Sequence, residues 1–180
     1  ADLQPGSQRV RFDSDLIMEY IAHCPPEVTL HARNPEHNLR LGGDNILFAQ
    51  MASAPNCSDT DRGRRAGNQQ DFRNLVKLGQ MHNILHLTGG YPVEPIDLHP
   101  SIRHLECLSD FVTLTDKVFH CYSLGKERNL DGLEIARIAR GVSPEQFLNE
   151  PSLIPIINTN SPLKLDVPMM EGIIQMASQG

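Results

Sequence analysis

Asn158, Asn160 and Ser161 close the stretch IPIINTNSPLKLD, where an apolar run turns abruptly into amides and hydroxyls. Three earlier apolar runs end in the same way. NILFA (45–49) is followed by Ser53, Asn56, Ser58 and Asp59. ILHLT (84–88) is followed by Gly89, Gly90, Tyr91, Glu94 and Asp97. VFHCY (118–122) carries His120 and ends at Tyr122, with Ser123 next. Together these residues form a polar, weakly acidic and mildly aromatic set. Such a set can orient a ligand, but it holds no evident nucleophile. H-E-x-x-H, a serine nucleophile elbow and a P-loop are all missing from the sequence. Cys24, Cys57, Cys107 and Cys121 lack C-x-x-C spacing, and His120 and Cys121, adjacent on a strand, point to opposite faces. No metal site is expected. Plainer roles exist for each residue: Asn and Ser make turns and caps, Gly89-Gly90 makes a tight turn, tyrosines pack, and His86 and His120 fill a core. On residue chemistry alone the reaction stays open.

These runs must be strands, because helical patterns follow them. Phe72, Leu75, Val76 and Gly79 share one face of a helix expected over 69–82. Ile102, Leu105, Leu108 and Val112 do so over 100–113. Further helices are expected over 127–140 and 167–178, the last capped by Asp166. A short one starts at Ser143-Pro144, where SPEQ has the form of a capping box. Strand starts near residues 45, 84, 118 and 154 therefore open four strand–helix units, each about the length of a βα module. Ahead of them, residues 1–44 hold a helix over 13–23 with Ser14 as its cap. Strands over 28–32 and 38–41 follow, and the strand at 45–49 completes a β-meander. Repeated βα units imply a parallel sheet covered by helices, an α/β fold. The phosphate-binding fingerprint G-x-G-x-x-G is missing after the first strand, which disfavours a doubly wound nucleotide binder. A (β/α)8 TIM barrel fits, with about four of its eight units in residues 45–180. Half a barrel leaves two apolar edges unpaired. More chain, a second copy in a homo-oligomer, or an open sheet would resolve that.

Composition narrows the partners. A net charge of −6 over 180 residues disfavours nucleic acid, and the short RGRR run at 62–65 is flanked by Asp59 and Asp61. Ion pairing or a solvated loop explains that run more simply than phosphate binding. No apolar stretch approaches the roughly 18 residues of a membrane span, and no signal peptide is evident. The scattered cysteines suit reduced thiols in a cytoplasmic protein.

Five segments then carry a resemblance: TLHARNP (29–35), RGRRAG (62–67), TDKVFHCYSLGKERNLD (115–131), IARGVSPEQ (138–146) and IINTNSPLKLD (156–166). In this order and spacing they resemble the trimethylamine methyltransferase family, including its non-pyrrolysine, glycine betaine-type members. The resemblance runs from about residue 10 to 180. It implies a (β/α)8 barrel that moves a methyl group from a tertiary or quaternary amine to the Co(I) of a corrinoid carried by a separate partner protein. No cofactor of the chain's own is implied. It also implies that this chain is a middle portion of a longer protein, with the pyrrolysine position of the trimethylamine-specific members lying beyond Gly180. On this resemblance Tyr91, Asp97, His120, Tyr122, Asn158, Asn160 and Ser161 become the substrate-binding candidates. A trimethylammonium head has no N–H donors and is best held by aromatic faces and amide dipoles. Asp97 and Asp59 would shape the field without contacting the nitrogen, since a tight ion pair would be lost as the methyl leaves. Lys117 and Arg103 are the cations considered for a substrate's acid end. A non-catalytic betaine-binding protein and a pterin-dependent barrel methyltransferase are the competing functions.

Overall fold

The computed structural model describes residues 2–3, 6, 9–121, 125–161 and 163–179. A two-residue pair, β1 (Asp2–Leu3) and β2 (Val10–Arg11), precedes helix α1 (Ser14–Ile21). The cap of α1 is Asp13, whose carboxylate accepts from Asp15 N; Ser14 is the first helical residue. Next comes an antiparallel hairpin, β3 (Glu27–Leu30) and β4 (Leu39–Gly42). The expected third meander strand does not form there. Strand β5 is Ala49–Gln50, at the end of the NILFA run, and it pairs elsewhere.

A second hairpin, β6 (Asn56–Asp59) and β7 (Gly63–Ala66), leads into α2 (Gln69–Met81). Then follow β8 (Leu87–Thr88), α3 (Arg103–Leu114), β9 (Phe119–His120), α4 (Lys126–Arg140), α5 (Pro144–Asn149), β10 (Leu153–Ile154) and α6 (Val167–Ala177). Ser143 caps α5 with Pro144 in its first turn, and Asp166 caps α6. Gly141 ends α4 in the left-handed conformation, with φ of +67°.

Four strands run parallel in sequence order. β5 pairs with β8, Leu87 of β8 bridges to Val118 beside β9, and β9 pairs with β10. The ladders are short and do not close into a barrel among the described residues. Alternation along the strands sorts the side chains. Phe119, Cys121 and Leu153 face the helices. There they join Phe72 and Val76 of α2, Cys107, Leu108 and Phe111 of α3, and Leu133 and Ala136 of α4. Gly132 of α4 lets that helix approach β9, since a Cβ there would stand 2.9 Å from Cys121 Cβ. On the opposite face Leu87 and Val118 pack with Leu30, Ala32 and Leu39 of the first hairpin. That hairpin lies across the amino ends of the strands, where His31 N donates to Pro151 O and Asn34 N to Asp116 O. The carboxyl ends are left for the site. No helix among the described residues is long and apolar enough to cross a membrane.

Candidate functional site

The strand ends are tied to one another mainly by backbone groups. Gly89 N donates to Gln50 O at 3.2 Å, Glu94 N to Ala54 O at 2.8 Å, and Ser53 N to Tyr91 O. Thr88 Oγ1 accepts from His120 N at 3.1 Å. These approaches are close enough to require glycine. A Cβ on Gly89 would meet Gln50 O at 2.6 Å, and one on Gly90 (φ +155°) would meet Ala52 Cβ at 2.6 Å. Ser53 itself has a φ of +54°, which is uncommon for a side-chain-bearing residue.

A cavity of about 270 Å³ opens over these ends. Its walls are Ala52 and Ser53 after β5, Gly89, Gly90, Tyr91 and Glu94 after β8, His120 of β9, Ile156 and Asn158 after β10, and Met169 of α6. Among the described residues no lysine or arginine lines it, and Glu94 is its one carboxylate. That side chain is 17% exposed, and its Oε2 faces Arg103 Nη1 only loosely, at 3.8 Å. Oε2 has no hydrogen-bond partner among the described residues. Burial pushes the Glu94 carboxyl up, and the Arg103 charge opposes that.

His120 acts as both clamp and wall. Its Nε2 accepts from Ile156 N at 3.1 Å, so its proton sits on Nδ1. Burial pushes this imidazole down to about 4, which keeps it neutral near pH 7. Nδ1 is buried with no partner among the described residues.

Of the candidates named from sequence, the cavity gathers Tyr91, His120 and Asn158. Tyr91 is 1% exposed, with its ring edge-on to Phe72 and tilted against Phe111. The carboxylate of Asp97 accepts from Gln69 N at 2.9 Å and so caps α2. Asn160 exchanges two backbone hydrogen bonds with Lys164 around an exposed loop that includes Ser161. Tyr122 and Ser123 lie outside the described residues.

Lys117 faces the other end of the strands. Its Nζ donates to the carbonyls of Gly79, His82 and Leu85, closing the carboxyl end of α2. Arg103 lies near the cavity but turns one Nη to Leu98 O. The RGRR run forms an ion-pair cluster. Arg62 and Arg65 both pair with Asp59 and with Asp71 of α2, fixing the second hairpin to that helix. Burial is the largest single influence on the Asp71 carboxyl and works to raise it, but the hydrogen bonds from Arg65 and Cys57 and the charges of Arg65 and Arg62 together hold Asp71 below the usual carboxylate range.

Glu94 is the charged wall residue that the substrate-binding candidates omit. Its signal was its place after the second strand. Ile156 and Met169 offered none, because an apolar wall looks like core until the cavity is seen.

A family model described as Trimethylamine methyltransferase (MTTB) matches residues 2–180. The chain is 37% identical over 173 residues to the glycine betaine methyltransferase of Desulfitobacterium hafniense (strain Y51), an overlap covering 96% of this chain and 36% of that protein. To the trimethylamine methyltransferase MttB of Desulfitobacterium hafniense (strain DSM 10664 / DCB-2) it is 26% identical over 178 residues, covering 95% and 34%. The chain thus spans about a third of the length of these curated relatives.

Proposed function

We propose, from the premise that this chain belongs to the trimethylamine methyltransferase family, that the protein is a methyltransferase acting on a tertiary or quaternary amine held in the strand-end cavity. Glu94 carries this reading. A half-buried carboxylate, whose Oε2 accepts no hydrogen bond and faces Arg103 only at 3.8 Å, lines a cavity that has no cationic side chain in its wall among the described residues. Such a cavity favours a cation, and its modest volume favours a small one. Glycine betaine and trimethylamine are the compounds in the relatives' names.

The proposed acceptor is a corrinoid cobalt on a partner protein, which would supply the nucleophile. A corrin ring is too large for a cavity of about 270 Å³. The chain's own residues would therefore hold the amine and present a methyl group at the mouth. As the C–N bond breaks, the nitrogen keeps the bonding pair and its positive charge disappears. A strong ion pair at the nitrogen would then stabilise the bound substrate more than the transition state. Glu94 shares its charge with Arg103, so it would serve capture more than chemistry. Alignment of nitrogen, methyl and acceptor would supply the rate. Tyr91, His120 and Asn158 are proposed to shape the cavity. Asn160, Ser161 and Tyr122 are proposed to act from the rim, and Asp97 by capping α2 behind it.

The scaffold proposed is a (β/α)8 barrel, with residues 1–44 as a preceding segment. Strand order supports it: β5, β8, β9 and β10 are parallel neighbours in sequence order. A doubly wound sheet would reverse its order at a switch point.

The test is methyl transfer by the intact protein from glycine betaine, and separately from trimethylamine, to Co(I) cobalamin, read from the cobalamin absorbance. Transfer from either supports the assignment. Betaine binding without transfer points to a binding protein, and transfer to tetrahydrofolate without cobalamin points to a pterin-dependent enzyme.

A further inference from the structure

The charge pair beside the cavity is only half made. Arg103 opens α3, and its Nη1 stands 3.8 Å from Glu94 Oε2. That is beyond the roughly 2.7–3.2 Å of an N–H···O hydrogen bond. Nη2 donates to Leu98 O at 2.9 Å. Nε is buried with no partner among the described residues, and so is Glu94 Oε2. A guanidinium keeps its charge at any physiological pH and can only donate. Arg103 thus holds buried donor capacity and a charge that Glu94 quenches only in part.

Arg103 does not line the cavity itself. It lines a recess of about 100 Å³, and the two spaces share Tyr91. The recess also has the guanidinium of Arg128 in its wall, a second positive charge, and among the described residues no carboxylate lines it. The cavity has the opposite character, with Glu94 as its only charged wall residue among those described. Across Tyr91 the site is bipolar. A ligand that spans it meets a negative wall at one end and a positive one at the other.

We propose that Arg103 is a specificity-determining residue of this site: it receives a carboxylate carried by the same molecule whose methylated nitrogen lies beside Glu94. The pair would then select a zwitterionic amine over a simple cationic one. The inference rests on the methylated-amine reading of the cavity and goes beyond it, since a simple amine occupies the cavity without engaging Arg103. A carboxylate requires donors and positive charge from the protein and no acceptor, which is what Arg103 supplies. The substrate's two charges would lie antiparallel to the Glu94–Arg103 pair, each facing its opposite. His120 Nδ1 is another buried donor without a partner among the described residues, but its ring is neutral and tied to Ile156 through Nε2. A neutral donor separates an acid from its ester poorly, whereas a charge-assisted bond favours the anion.

Isothermal titration calorimetry of the intact protein at pH 7 tests this with glycine betaine, its methyl ester and tetramethylammonium. All three carry a quaternary nitrogen, and only the first carries a carboxylate. Glycine betaine should bind about tenfold more tightly than either cation, the worth of one hydrogen bond to a charged group. Arg103→Gln keeps a side chain that can donate to Leu98 O and removes the charge. It should weaken glycine betaine by about tenfold and tighten tetramethylammonium, because Glu94 loses its counter-charge. A structural defect would weaken both ligands. Arg103→Lys, with the charge and without the planar fork, should recover part of the betaine affinity. Equal binding of glycine betaine and its ester, or changes in the same direction for both ligands in Arg103→Gln, would overturn the role of Arg103 and leave the amine site standing. Failure of all three compounds to bind would remove the amine site and this inference with it.

Discussion

Acid should loosen this protein through His120 before it titrates the paired carboxylates. The neutral imidazole accepts the Ile156 N–H, and protonation turns Nε2 into a donor facing a donor. Burial holds its folded pKa at about 4, against 6.5 for an unhindered imidazole. Each unit is worth about 1.4 kcal/mol, so the difference comes to about 3 kcal/mol for this largely buried ring. The sign follows from proton binding. Between pH 6.5 and 4 the unfolded chain binds the proton and the folded one does not, so stability rises with pH over that window. The contribution is complete above pH 6.5 and lost as pH falls to about 4. His120→Gln isolates it, because a glutamine oxygen can take the place of Nε2 as acceptor without titrating. Urea unfolding of the intact protein should be followed by far-ultraviolet circular dichroism, since the sequence holds no tryptophan. Across the window the wild type should lose about 3 kcal/mol more than the variant. Equal pH slopes, or a His120 imidazole titrating near 6.5 by NMR, would refute the reasoning.

Glu94→Gln removes the only carboxylate that lines the cavity among the described residues. A charge pair about 5 Å apart is worth about 3 kcal/mol at an effective dielectric constant of 20, and the nearby Arg103 should reduce that to about 1. KM for a quaternary amine should rise about fivefold with kcat unchanged; steady-state kinetics showing a fall in kcat alone would count against a capture role. Lys117→Met strands three carbonyls around the end of α2. A loss of about 2–4 kcal/mol is expected in chemical denaturation, with no direct effect on the cavity. Gly90→Ala forces a methyl against Ala52 at a positive φ. It should cost about 1–3 kcal/mol and weaken amine binding by shifting one wall, as calorimetry would show.

The helices were legible because each carries a periodic apolar stripe. Gln69–Met81 and Lys126–Arg140 fall within a residue of the spans expected from sequence. The strands were harder, because apolar runs mark burial and ladder hydrogen bonds do not follow from them. In NILFA, Ile46 is 77% exposed and only Ala49 enters a ladder. The hairpin Asn56–Asp59 with Gly63–Ala66 went unseen, since NCSD and GRRA have no alternation. Its turn was in fact written in the sequence: Asp59 Oδ1 accepts from the backbone of Asp61 and Arg62, and Gly63 has a positive φ. At the site, strand-end position brought Tyr91, His120 and Asn158 to one cavity. It could not tell them from Asp97, which sits in the same sequence neighbourhood but caps a helix. That distinction depends on which way the chain turns after Tyr91.

A wall built from backbone contacts leaves few side chains free to tune what the cavity accepts. Gly89 and Gly90 are fixed by close approach, and His120 is committed to Ile156 through Nε2. Substitutions there act on the scaffold first. Glu94 and Asn158 are different, because among the described residues no side-chain hydrogen bond of either one ties the strand ends together. Glu94 bonds the scaffold through its backbone N–H and leaves its carboxylate to the cavity and Arg103. Selectivity among methylated amines should therefore map to Glu94, Arg103 and Asn158, and the glycines and His120 should map to stability. Arg103 is the most informative of these, since one guanidinium faces the cavity's carboxylate and also donates to Leu98 O.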